Sequence, residues 1–132
     1  MASKNQMTGM LGVYLVAAEL SKRGFIVSPT SRSAAGADLL VTDQKCCKAW
    51  SVQVKTNNNP ANFWLVGAKA KSIISDSHMY VFVNVGKGDR AEYIVVPSAH
   101  VAAKAFYEKS TTGTEWYSFP RSARDYSAHR QP

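Results

Sequence analysis

Two residues able to do chemistry lie on one predicted strand. Residues 49–56 read Ala-Trp-Ser-Val-Gln-Val-Lys-Thr, and side chains alternate between the two faces of a strand. Gln53 and Lys55 therefore share one face, while the apolar residues between them face a core. Asp38 begins the preceding predicted strand, and a hairpin between the two strands would bring its carboxylate close to Gln53 and Lys55. An acid, an amide oxygen and an ammonium group would then share one spot.

A second carboxylate, that of Glu19, is the only acidic group of a helix predicted over 6–23. It lies on an apolar face of that helix, where an unpaired charge is costly. One interpretation is an ion pair with Lys22, Arg23 or Arg32. The other is that Glu19 points to the same spot as the strand residues.

These residues are positioned by a series of predicted helices and strands. Apolar spacing predicts the helix over 6–23, and Gly24 follows it as a stop signal. Strand patterns occupy 25–28, 37–42, 49–56, 78–85 and 92–96. Helical patterns occupy 68–75 and run from 98 to about 109, whereas 63–66 fits either a short strand or the entry to a helix. Turn chemistry marks 43–48, 57–60 and 86–89. The order α-β-β-β-α-β-β-α predicts an α/β fold with a central mixed β-sheet flanked by helices.

The length of 132 residues and the composition predict one globular domain. We expect it to span 1–132, with a core over about 7–109 and a C-terminal extension over 110–132. The aromatic residues of that extension, Trp116, Tyr117 and Phe119, are expected to dock on the body. The formal charge of +7 favours polyanionic partners, with nucleic acid first. No apolar run reaches the roughly 20 residues of a membrane span, so we expect no membrane partner.

The cysteines and histidines carry little functional signal. Cys46 and Cys47 are adjacent and the chain has no other cysteine. Neighbouring cysteines fit disulfide geometry poorly, so we expect free thiols beside a turn and a cytoplasmic, reducing location. None of the histidines has zinc-ligand spacing to this pair. We expect His78 and His100 at the surface or at a strand edge.

Three motifs resemble, in order, the PD-(D/E)XK nuclease superfamily, which has the restriction-endonuclease-like fold. Residues 15–27, LVAAELSKRGFIV, are similar to the first helix and strand of Holliday-junction-resolvase-like nucleases. Residues 36–41, GADLLV, resemble their metal-binding Asp motif, and 51–55, SVQVK, resemble the (D/E)-x-K strand in a Q-x-K form. The resemblance covers about 7–98, and the element order is similar to the superfamily core.

The resemblance implies a metal-dependent endonuclease that hydrolyses phosphodiester bonds in duplex or branched DNA. It implies Mg²⁺ or Mn²⁺ as the cofactor, with Asp38 as a direct ligand and Glu19 as a ligand directly or through water. Gln53 would take the second ligand position, and the backbone carbonyl of Val54 would add another oxygen. Lys55 would orient or activate the attacking water. Hard oxygen ligands suit these ions, which can generate the nucleophile and stabilise the leaving oxygen.

Gln53 departs from the pattern of the superfamily, since most members carry Asp or Glu there. A neutral amide removes one negative charge from the site, although methylation-dependent restriction enzymes of the Mrr type are similar in their Q-x-K form. The alternative is a catalytically inactive nuclease-fold module that binds nucleic acid or a protein partner. A third interpretation is a domain that works only within a larger complex. The resemblance also implies a homodimer, because resolvase-like nucleases are commonly dimeric.

Two segments are candidates for contacts with DNA. Ser31, Arg32 and Ser33 form a polar loop before the Asp motif that would meet a phosphate; the alternative is a solvated loop. Trp64, together with Phe63, would stack on a base. Core packing is the alternative for at least one of these two rings.

Overall fold

The computed structural model describes residues 3–31, 36–86 and 90–125. In chain order, the helices and strands of these residues are α1 (Lys4–Lys22), β1 (Ile26–Pro29), β2 (Leu39–Thr42), β3 (Ala49–Asn57), β4 (Phe63–Val66), β5 (His78–Val85), β6 (Ala91–Pro97), α2 (Ser98–Lys104), β7 (Phe106–Lys109) and β8 (Glu115–Pro120). Short 3₁₀ turns occupy Ala68–Lys71 and Arg121–Ala123. No helix within the described residues is long and apolar enough to cross a membrane.

The centre of the molecule is a five-stranded sheet in the order β1-β2-β3-β5-β6. The pair β3–β5 is parallel and the other pairs are antiparallel, so the sheet is mixed. Helix α1 packs on one face and α2 on the other, which confirms the predicted α/β class. The parallel pair needs a long crossover connection, and that connection contains β4. With β8 and β7, β4 forms a second, three-stranded antiparallel sheet in the order β4-β8-β7.

Helix α1 begins with a capping box in which Ser3 and Gln6 satisfy each other's backbone N–H groups. Its buried residues, Gly12 and Val16, face the sheet. A Cβ on Gly12 would lie 1.7 Å from the Thr56 Oγ1 atom, so glycine is what lets the helix approach β3. The helix and the sheet face beneath it enclose an aliphatic core of Val16, Leu39, Val41, Val52, Val54, Val81 and Val83.

The opposite sheet face carries an aromatic core. Phe82 of β5 stacks on Phe119 of β8 with 4.8 Å between ring centroids, and Trp64 of β4 lies 5.2 Å from Phe82. Tyr80 also stacks on Phe82, with 5.7 Å between ring centroids, and burial raises the pKa of its hydroxyl. The second sheet and α2 therefore cover the half of this face formed by β5 and β6.

Two helix predictions are wrong. Residues 68–75 contain only the 3₁₀ turn, and the helix expected to reach about Lys109 ends at Lys104. Ala105 is extended, with φ −68° and ψ 134°, and Phe106–Lys109 pairs with β8 instead. Tertiary pairing therefore outweighs helix propensity in this segment. Residues 63–66 form a strand, and the extension docks on the body as predicted, with Phe119 0% exposed. Positions 87–89 of the predicted turn lie outside the described residues.

The two histidines were wrongly predicted at the surface or a strand edge. His78 and His100 are 4% and 6% exposed. His78 Nδ1 lies 2.6 Å from Ser51 Oγ, and His100 Nε2 lies 2.6 Å from the carbonyl oxygen of Ala123. Both rings thus lie in the interior, where these hydrogen bonds hold them. Cys46 and Cys47 are exposed free thiols.

Candidate functional site

The β2–β3 hairpin brings Asp38 beside Gln53. Leu39 pairs with Val52, so the preceding and following residues lie opposite each other. The Asp38 N–H donates to the Val52 carbonyl at 2.8 Å, and the Val54 N–H donates to Asp38 Oδ2 at 2.8 Å. The carboxylate is therefore held at the start of β2 by a backbone amide of β3. A ligand would be held mainly by its second oxygen, Oδ1.

Asp38, Gln53 and Val54 line an open cleft of about 400 Å³. The first half of α1 forms one wall, and the end of β1 forms another. The remaining lining residues are Gln6, Gly9, Met10, Val13, Tyr14, Pro29, Thr30 and Ser31. Thr30 holds this wall in place, because its hydroxyl donates to the Ala37 carbonyl at 2.6 Å.

The sequence predicted that α1 contributes Glu19 to the site, and it missed the residues of α1 that line the cleft. Tyr14 is 60% exposed at its rim, and Met10 and Val13 lie beside it. A signal was present, because the helix carries no charged residue between Asn5 and Ala18. A solvent-facing helix normally places charged residues on its outer face.

Lys55 shares a sheet face with Gln53 but does not line the cleft. Val52 and Val54 are buried beneath α1, so Gln53 and Lys55 alternate to the opposite face of β3. Gln53 nevertheless borders the cleft, where β2 begins and the edge of β3 is uncovered. Lys55 is half-buried on the opposite face and has no ion pair with another of the described residues. The predicted pair on one strand face is thus present, with Lys55 beyond the cleft.

Glu19 does not line the cleft, which corrects its predicted place beside Asp38. Its carboxylate lies 3.8 Å from Lys22 Nζ and 3.8 Å from an Arg23 guanidinium nitrogen. Burial, and then the nearby Glu19 carboxylate, raise the pKa of Tyr93 on β6. Glu19 follows Val13 by six residues, which places it roughly 120° around the helix from the cleft. The ion-pair interpretation fits this position.

Trp64 was predicted to stack on a base, and its burial corrects that prediction. The side chain is 1% exposed, and its Nε1–H donates to the Val83 carbonyl at 2.9 Å. Alternation along β4 puts Trp64 in the aromatic core and leaves Phe63 outside, 50% exposed. Ser31 lies at the cleft, whereas Arg32 and Ser33 lie outside the described residues.

The cleft offers oxygen donors with little negative charge. The Asp38 carboxylate, the Gln53 amide and the Val54 carbonyl are hard donors of the type that Mg²⁺ and Mn²⁺ take. They carry one negative charge in total, since α1 adds no acid to the lining. Across 3–31, 36–86 and 90–125, no three His, Cys, Asp or Glu side chains lie close enough to hold a metal together. The donors therefore fit a divalent cation by type, but only weakly by charge.

The fold has a solved counterpart. The crystal structure of Hjc from Archaeoglobus fulgidus, a Holliday junction resolvase of an archaeal hyperthermophile, superimposes with a TM-score of 0.56. The alignment covers 88% of this chain and 91% of that chain, at 12% sequence identity. The chain has a resolvase-like fold. No family model matches the sequence, and no curated protein matches it either. At this identity the likeness concerns the fold alone.

Proposed function

We propose that this chain is a DNA-binding domain of resolvase-like fold, which holds duplex or branched DNA across the cleft at Asp38 without hydrolysing it. The observation that carries the proposal is the composition of the cleft. Among the described residues, Asp38 is the single carboxylate of the cleft lining, which also contains the neutral Gln53 and the exposed ring of Tyr14. The net charge of +7 supports a polyanionic partner.

The absence of hydrolysis follows from the charge of the cleft. Asp38, Gln53 and the Val54 carbonyl would hold a divalent cation, which when bound supplies an activated water and stabilises the leaving oxygen. Affinity for such a cation rises with the number of carboxylate ligands. Two positions of the cleft lining that could carry acids are neutral: Val13, where α1 meets the cleft, and Gln53 on β3.

The second candidate function is a Mg²⁺- or Mn²⁺-dependent endonuclease. It is favoured by the placement of Asp38 beside Gln53, with Lys55 on the same strand face. Under this function Asp38→Ala abolishes metal binding, and Gln53→Glu strengthens it. Lys55→Ala leaves metal binding intact and stops cleavage, because positioned charge acts mainly in the transition state.

The first proposal is tested by measuring the fluorescence anisotropy of labelled duplex and four-way-junction DNA as the protein is added, at a series of salt concentrations. We expect tight binding at low salt that weakens steeply, with a log–log slope of about −0.9 for each phosphate contacted. Duplex DNA that spans the cleft would continue over Lys55, two residues further along β3, so Lys55→Ala should lower the magnitude of that slope by about 0.9. Lys45→Ala, an exposed cation in the turn at the other end of the hairpin, is the matched control and should leave the slope unchanged. Absent binding at low salt, or binding that ignores salt, would refute a DNA role.

Two further properties belong to this proposal. The exposed free thiols Cys46 and Cys47 support a reducing, cytoplasmic location. The homodimer implied by the resemblance is measured by sedimentation equilibrium with and without the junction DNA. A monomer in both samples would remove that part of the proposal.

A further inference from the structure

The three-stranded sheet has one buried face and one open face. Trp64 and Phe119 point inward and are 1% and 0% exposed. Phe63, Leu65 and Phe106 point outward and are 50%, 58% and 60% exposed. A soluble domain rarely leaves three large apolar side chains together on one sheet face without a partner.

The register of the strands gathers these side chains into one surface. Leu65 pairs with Ser118, and Ser118 pairs with Phe106, so the three form a row across the sheet. Phe63 lies opposite Pro120 on one side of this row. Trp116, opposite Glu108, lies on the other side. We name Phe63, Leu65, Phe106 and Trp116, around the small side chain of Ser118, the outer platform.

The rings of the outer platform are all at least partly exposed, Trp116 least of the three. Phe63, Phe106 and Trp116 pack on no other ring of the described residues, whereas Phe119 on the inner face stacks on Phe82. Flat aromatic rings on an open sheet are what unpaired bases stack on, and every base has a face to offer. Ser118 itself is only 9% exposed, so a base would rest on the Leu65 and Phe106 side chains that flank it.

Charge around the outer platform is uneven: Glu108 lies beside Trp116 on the same face, and cations flank the opposite end of the strands. Residues 98–124 contain four basic and two acidic side chains. Lys104 is exposed just before β7, and Arg124 is exposed just after β8, so cations stand at the strand ends. Arg121 is already paired with Glu92. A single strand crossing the rings could therefore place phosphates near Lys104 and Arg124.

We propose that the outer platform is a second nucleic-acid site, which binds unpaired nucleotides by base stacking. It shares no residue with the cleft at Asp38, so it does not rest on the function proposed above. In a branched or partly opened DNA, the cleft would contact duplex and the outer platform would contact the unpaired strand.

The test is titration of the full chain with a thymidine oligonucleotide of about 16 nucleotides, the upper site size of a single-strand-binding domain. We expect quenching of Trp116 fluorescence that survives in Trp50→Phe and disappears in Trp116→Phe. Phe63→Ala combined with Phe106→Ala should weaken binding about tenfold or more, because each ring that is removed takes away the stacking energy of one base. Tyr107→Ala is the matched control: it is the next residue of β7, 48% exposed, and faces the other way. It should retain wild-type affinity.

A second pair of variants separates stacking from plain apolar contact. Phe106→Leu keeps an apolar side chain on the strand but removes the ring, and it should lose affinity as Phe106→Ala does. Tyr14→Ala, in the cleft, should weaken binding of duplex and leave the oligonucleotide titration unchanged. The proposal is overturned if the wild type does not bind the oligonucleotide, if the platform variants bind it as tightly as the wild type, or if Phe106→Leu restores binding.

Discussion

The two hydrophobic cores lie on opposite faces of one sheet. They differ in amino-acid composition and in the sequence separation of the residues that form them. The core under α1 is aliphatic and is built of Val and Leu. The core under the second sheet is largely aromatic. Strand β5 serves both, with Val81 and Val83 on one side and Tyr80 and Phe82 on the other.

The two cores also differ in how far apart their residues lie along the chain. The aliphatic core is assembled mainly from α1 and β1–β3, which follow one another along the chain, and the cleft at Asp38 lies at its edge. The aromatic core joins Trp64 to Phe119, and the strands that carry them pair directly. Its formation requires closure of a long loop, which carries an entropic cost.

The largest expected effect is loss of the central ring of the aromatic core. Phe82 is 0% exposed and contacts three rings at 4.8, 5.2 and 5.7 Å between centroids. Phe82→Ala should lower the free energy of unfolding by about 3–5 kcal/mol, measured by urea denaturation. Val83→Ala, the equally buried neighbour in the aliphatic core, should cost only about 2 kcal/mol. Equal losses would break the comparison between the cores.

The next largest effect on stability is expected from Gly12, where α1 packs closely against β3. Gly12→Ala should lower the free energy of unfolding by about 1–3 kcal/mol, because its Cβ overlaps Thr56. Gly9→Ala in the same helix is the control, since a Cβ there meets nothing within 4 Å. It should raise stability by about 0.5–1 kcal/mol through helix propensity. A destabilising Gly9→Ala together with a harmless Gly12→Ala would contradict the packing of this helix.

A smaller effect is expected from pH, at the join between β3 and β5. Burial lowers the pKa of His78 below its usual 6.5, and a hydrogen bond with Ser51 partly opposes that shift. As the pH falls through 6.5, His78 becomes protonated in the unfolded chain but stays neutral in the folded chain. The free energy of unfolding therefore decreases until the pH falls below the lowered pKa of the folded state. Thermal unfolding should show a lower midpoint at about pH 5.5 than at about pH 7.5. His78→Gln should reduce this dependence, and an unchanged dependence would exclude His78 as its cause.

The sequence was sufficient for the first half of the fold and for part of the site. Alternation along β3 and the turn at 43–48 predict a hairpin, and the register places Asp38 beside Gln53. Glu19 was misplaced because an acid on an apolar helix face can either form an ion pair or belong to a functional site. Which of the two holds depends on how the helix is rotated about its axis against the sheet, and the sequence does not give that rotation. Phe106–Lys109 was misread as helix because its strand partner, β8, has no local signal in the segment itself.

We expect this cleft to bind DNA and to lack the carboxylates needed to cut it. Nicking of supercoiled plasmid with Mg²⁺ or Mn²⁺ tests this expectation most directly, using the wild type, Gln53→Glu and the double variant Val13→Glu with Gln53→Glu. We expect no nicking by the wild type and metal-dependent nicking by the double variant, which should be abolished when Asp38→Asn is added. Metal-dependent nicking by the wild type that Asp38→Asn abolishes would contradict this expectation.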